Sequence, residues 1–160
     1  MEKRNVLFVM SSLRNGGAER SLVNLLQLLD YNRYNVDLLL FQNEGMFLKQ
    51  VPKAVNIISN CNKLYTLYDN NKAEALKHPY LSAVHMIGTF ISRKKTNSVA
   101  KSRQYRWEHF YKKIVPELTK EYDVAIAYMQ REQTYFLVDK VKAAKKIAWV
   151  HNEYSQLGHF

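Results

Sequence analysis

Residues 5–20 read N-V-L-F-V-M-S-S-L-R-N-G-G-A-E-R. The first six, Asn5 to Met10, form a short apolar run suited to a fully buried strand. Beyond the paired glycines, Ala18, Leu22, Leu25, Leu26 and Leu29 recur at helical offsets, the stripe of an amphipathic helix. A strand therefore enters a glycine loop and a helix leaves it. Free backbone N–H groups and the positive end of the helix dipole converge there, a natural seat for a phosphate. From spacing alone, Gly16-Gly17 reads equally well as a tight strand-to-helix turn.

The same alternation continues outward. Asn35 to Phe41 (NVDLLLF) and Val55 to Ser59 (VNIIS) are further strands, with a short helical turn at Met46 to Val51 before Pro52. From Leu64 to Leu118 the apolar spacing is helical. Leu81, Val84, Ile87 and Ile91 form one stripe; Trp107, Phe110 or Tyr111, Ile114 and Leu118 form another, with a break at Thr96-Asn97-Ser98. Strands resume at Asp123 to Tyr128 and Lys146 to Val150, around a helix at Thr134 to Val141. The expectation is one α/β domain, a doubly wound, mostly parallel, Rossmann-like sheet with a helical insertion between the third and fourth strands. The chain stops about ten residues past the last strand, which reads as an incomplete protein.

Composition narrows the function. Of 160 residues, 47% are apolar and 24% charged, the balance of a globular domain. No apolar run reaches the roughly 18–20 residues of a membrane span, and the N-terminus reads as a first strand. A cytoplasmic protein is expected, with a peripheral place on the inner face of the membrane left open. Cys61 is the single cysteine, which excludes an internal disulfide and a cysteine-based zinc site. No histidine has metal-ligand spacing, no Asp-x-Asp occurs, and no metal is expected. The net charge of +10 is concentrated: Arg93, Lys94, Lys95, Lys101, Arg103, Arg106, Lys112 and Lys113 face one acid, Glu108, in that window. Three readings follow, in order: a solvated helix face, a patch for an anionic membrane surface, and a nucleic-acid grip. The glycine loop fits neither G-x-G-x-x-G nor a Gly-Lys-Ser/Thr phosphate loop, which counts against a dinucleotide oxidoreductase and a P-loop NTPase.

N-G-G-A-E-R after a first strand, together with K-K-I-A-W-V-H-N-E-Y near the other end, resembles the N-terminal domain of the family 4 glycosyltransferases, retaining enzymes of the two-domain GT-B type. The resemblance implies that residues 1–160 are the acceptor-side domain and that the donor-binding domain is absent from this chain. It implies that Gly16 and Gly17 approach the diphosphate of a nucleotide-sugar, and that His151 is a catalytic residue beside the transferred sugar or the acceptor. Glu19, Arg20, Asn152 and Glu153 are second-rank candidates; Glu19 complements the helix dipole by position alone. The implied partners are a nucleotide-sugar donor and a glycan or lipid-linked acceptor, with no cofactor beyond the donor. The family's E-x7-E pair has no counterpart, since no Glu has another eight positions on. The chain alone is therefore expected to be inactive. The alternative reading is a non-catalytic basic α/β module that binds an anionic membrane surface or nucleic acid.

Overall fold

The structure, a computed structural model, describes residues 2–58, 67 and 76–151. Strand β1 (Arg4–Met10) pairs in parallel with β2 (Tyr34–Leu40) on one side and with β4 (Glu121–Ala127) on the other. β3 (Asn56–Ile58) extends the sheet beyond β2, and β5 (Lys142–Ala148) beyond β4. The order is β3-β2-β1-β4-β5, all parallel, which is the expected α/β class.

The apolar run at residues 6–10 is continuous because β1 is covered on both faces. Val6, Phe8 and Met10 point to one layer, where helix α1 (Gly17–Leu28) contributes Leu22, Val23 and Leu26. Leu7 and Val9 point to the other layer, built mainly by three helices among the described residues. These are α2 (Pro79–Lys95), α3 (Val99–Arg106) and α4 (Glu132–Lys140). A π turn, Trp107–Tyr111, and a last turn, Lys112–Ile114, prolong α3. Leu81, Trp107, Tyr111, Phe136 and Leu137 belong to this second core. The helices between β3 and β4 are thus part of the sheet's own cover.

The break at residues 96–98 falls where the sequence puts it: α2 ends at Lys95, and Ser98 caps α3 by accepting the Lys101 N–H at 3.1 Å. The stripe of α2 does not. Ile87 is 55% exposed, while Gly88 and Ser92 are buried. A Cβ on Gly88 would come within 3.3 Å of the Phe110 ring, so α2 approaches the π turn through its smallest residue and turns Ile87 outward. The last strand also departs from expectation. It begins earlier, at Lys142, and is mostly exposed, because an edge strand has a neighbour on one side only.

Asp37 interrupts the apolar β2 and is buried. It accepts hydrogen bonds from Tyr122 Oη (2.7 Å), Lys120 Nζ (2.9 Å) and Asn56 Nδ2 (3.0 Å), tying β2 to β4 across β1. Burial pushes its carboxyl upward, but these hydrogen bonds and the Lys120 charge outweigh burial and hold it below the ordinary value.

Candidate functional site

From β1 the chain passes through α1 to β2, whereas β4 lies on the opposite side of β1. The loops leaving β1 and β4 therefore part in opposite directions and open a crevice at the carboxyl ends of the strands, where open α/β sheets bind ligands.

On the α1 side, Gly16 is the N-cap, with φ −90° and ψ 163°, and Gly17 is the first helical residue. Neither has positive φ, so the backbone conformation itself does not demand glycine at either position. A Cβ on Gly17 would meet nothing within 4 Å. The space a Gly17 side chain would take is therefore open, and Arg20 N–H makes the helix's first backbone bond, to the Gly16 carbonyl. A Cβ on Gly16 would run into the Glu19 carboxylate, which folds back over the N-cap and complements the helix dipole. Arg20 is exposed.

The glycine that the backbone does require is Gly45, with φ 128°. A Cβ there would collide with the Leu13 carbonyl. This close approach lets the loop after β2 brace the loop after β1: Leu13 N–H donates to Glu44 O (2.9 Å), Phe47 N–H to Leu13 O (3.1 Å), and Arg14 Nε to Glu44 Oε1 (2.7 Å).

His151, beyond β5, reaches the same side. Its ring lies 4.7 Å from that of Tyr128, the residue after β4, and Tyr128 Oη shares a 3.0 Å hydrogen bond with Ser21 Oγ of α1. Ser21 is one helical turn from Gly17. Tyr128 thereby links two motifs 135 positions apart in the sequence, taking Gly16 and His151 as their markers. The Nε2 of His151 is buried and has no hydrogen-bond partner among the described residues. Asn152 and Glu153 lie outside the described residues.

Sequence reasoning missed the loop after β4. Gln130 Oε1 is buried without a partner among the described residues, and Arg131 sits at φ 82°, ψ −123°, a strained conformation for a residue with a side chain. The polar string Y-M-Q-R-E-Q directly after an apolar strand was the available signal.

On the opposite side of the sheet edge, a cavity of about 420 Å³ opens between the strand ends and helices α2 and α3. Ser11, Gln42 and Gln133 form its floor, from the ends of β1 and β2 and the start of α4. Its walls carry Arg93, Arg103 and Arg106. Arg103 is 3.5 Å from Glu132; Arg106 donates to Ser102 Oγ (3.2 Å) and Ser92 Oγ (3.4 Å). Arg93 is exposed and has no carboxylate partner among the described residues. His85 and Tyr111, joined by a 2.9 Å hydrogen bond, complete the wall. Burial, then the Arg106 charge, lowers the His85 pKa, and burial pushes the Tyr111 phenol up to about 12.

The basic segment is therefore divided. Its arginines converge on the cavity. Its lysines do not: Lys112 pairs with Asp139 at 2.7 Å, Lys94 lies 4.4 Å over the Phe90 ring, and Lys95, Lys101 and Lys113 are exposed.

Among the described residues no helix is long and apolar enough to cross a membrane. Compared with protein-family models, curated proteins and solved structures, the chain gives no match.

Proposed function

We propose that the chain is the acceptor-side domain of a retaining glycosyltransferase resembling family 4, serving transfer from a nucleotide-sugar to a glycan or lipid-linked acceptor. The observation that carries this reading is the link Ser21–Tyr128–His151, which joins the glycine-started helix to the histidine at the carboxyl edge of a parallel sheet. In this reading the N–H groups of Gly17 and Ala18 face the diphosphate, stabilising charge that builds on the leaving group. The missing Cβ of Gly17 admits the ligand to the backbone. Nε2 of His151 accepts from, or donates to, a hydroxyl of the reacting sugar or acceptor. The Glu19 carboxylate now over the N-cap swings aside when the diphosphate arrives, since two anions repel there.

Calorimetric titration of the chain with UDP and GDP tests this. Weak binding, in the millimolar range and abolished by Gly17→Val, is expected, with no transfer activity from the chain alone. Binding unaffected by Gly17→Val, or sugar transfer by the isolated chain, would contradict it.

A second reading has its own observation. The outer face of α2 exposes Tyr80 (67%), Met86 (66%), Ile87 (55%) and Phe90 (61%), followed by Lys94 and Lys95. Apolar residues bordered by lysines suit an anionic membrane surface, where a lipid-linked acceptor resides. Co-sedimentation with vesicles containing phosphatidylglycerol, reduced by Phe90→Ser, is the expected result; equal sedimentation with neutral vesicles would count against it.

A further inference from the structure

The arginine cavity has features that the transfer reading does not use. Among the described residues, three guanidinium groups face one carboxylate, so two of these positive charges have no counter-charge in the described part of the wall. Unpaired like charges repel, and a fold that gathers them around a hollow raises the free energy of the empty state. The groups are arginines, whose planar forks match the oxygens of tetrahedral anions, while the lysines of the same segment point elsewhere. A second, independent sign is Thr89. Thr89 lines the cavity, and its buried Oγ1 has no hydrogen-bond partner among the described residues. A buried hydroxyl left without a partner costs stability, and a rotation of the Thr89 side chain toward a ligand oxygen in the cavity would remove that cost.

We propose that this cavity binds a phosphate monoester group, carried on a small molecule or a lipid headgroup, with Arg93, Arg103 and Arg106 as charged donors and the Thr89 hydroxyl as a neutral one. A phosphate monoester carries a charge of about −1.5 to −2 at neutral pH, which matches the uncompensated charge of the wall. The cavity volume of about 420 Å³ lies within the range of small-molecule pockets and exceeds what a bare phosphate fills, leaving room for a sugar-sized remainder. Gln42 and Gln133, both buried on the floor, offer amide groups to hydroxyls of that remainder. The site needs only this chain's own residues and stands whether or not the protein transfers sugars.

Binding of a hexose 6-phosphate to the 160-residue chain, followed by calorimetry, is the test. Parallel titrations use the unphosphorylated hexose, a hexuronate, and vesicles of phosphatidylcholine with phosphatidic acid, which present the same monoester on a lipid. Saturable binding of either phosphate carrier, at least tenfold tighter than hexose or hexuronate, is expected. Arg93→Gln should weaken it at least tenfold without loss of folding, because that side chain is exposed and has no ion-pair or hydrogen-bond partner among the described residues. Arg106→Gln should weaken it as much, with circular dichroism reporting whether the Ser92 and Ser102 contacts are needed for the fold. Thr89→Val should weaken it by a factor of several. Lys95→Gln and Lys101→Gln remove the same charge outside the cavity and should leave affinity within twofold. Absence of saturable binding to both carriers, equal binding of hexuronate, or equal weakening by the lysine and arginine variants would overturn the proposal.

Discussion

The two sides of the sheet's carboxyl edge are built from opposite materials. On the α1 side, positive potential comes from backbone, the N-terminus of α1, with no Cβ on Gly17 beside it and the Tyr128–His151 ring pair at its flank. On the α2–α3 side it comes from three guanidinium groups around a hollow. Backbone dipoles are fixed by the fold and demand close approach, so that side depends on a side chain being absent. Guanidinium groups reach outward on long stems, so the other side depends on side chains being present and on helices holding them together. One surface is broken by adding atoms, the other by removing charge.

That contrast can be tested in order of effect. The largest belongs to Trp107, which is 1% exposed and donates from Nε1 to Asp139 at 2.7 Å. Trp107→Ala should cost about 4 kcal/mol in chemical denaturation, through the cavity it leaves, and should loosen the arginine side first. Next is Gly45→Ala, placing a Cβ against the Leu13 carbonyl at φ 128°; a loss of about 3 kcal/mol is expected, read by thermal unfolding. That loss should accompany disorder of the β1–α1 loop while helices α2 and α3 stay folded.

A pH series gives a third test. Folding holds the Asp37 carboxyl below its ordinary value, so the folded state binds fewer protons than the unfolded state in the acidic range. Its contribution is fully present above the unfolded carboxylate value, about 4, and is lost as pH falls through the lower folded value. Asp139 acts in the same direction: burial opposes ionisation, but Lys112 and the Trp107 N–H prevail. Asp37→Asn should flatten the acid limb of the stability profile; an unchanged limb would remove Asp37 from the account. The smallest effect on stability is expected for Gly17→Val, within about 0.5 kcal/mol of the parent, because the added atoms meet open space. Its consequence should appear in nucleotide binding alone.

The first four strands and α1 were legible because a buried parallel strand needs a continuous apolar run and a surface helix a periodic one; the exposed edge strand β5, without such a run at its start, was not placed correctly. The chain break at Thr96–Ser98 was legible because capping is local. Which side of β1 takes β4 is a tertiary matter, and with it the joining of Tyr128 to Ser21 and His151. The arginine cavity was illegible for the same reason. Arg93 on α2 and Arg103 and Arg106 on α3 converge because the helices fold back on each other, with Gly88 against Phe110 setting their approach. In the sequence they are indistinguishable from the lysines between them. Ile87 failed in the opposite way: its apolar character fits a core stripe, but the contact runs through the neighbouring glycine and leaves it in solvent. The strain at Arg131 has no sequence signature, since nothing in its type demands positive φ.

The most direct measurement is amide and side-chain chemical-shift mapping of the 160-residue chain, titrated separately with UDP and with a hexose 6-phosphate. Two disjoint sets of shifts are predicted: UDP should move Gly16, Gly17, Ser21, Tyr128 and His151, and the hexose phosphate should move Thr89, Arg93, Arg103 and Arg106. A single shared set, or saturable shifts from neither ligand, would contradict two anion seats on opposite sides of one sheet edge.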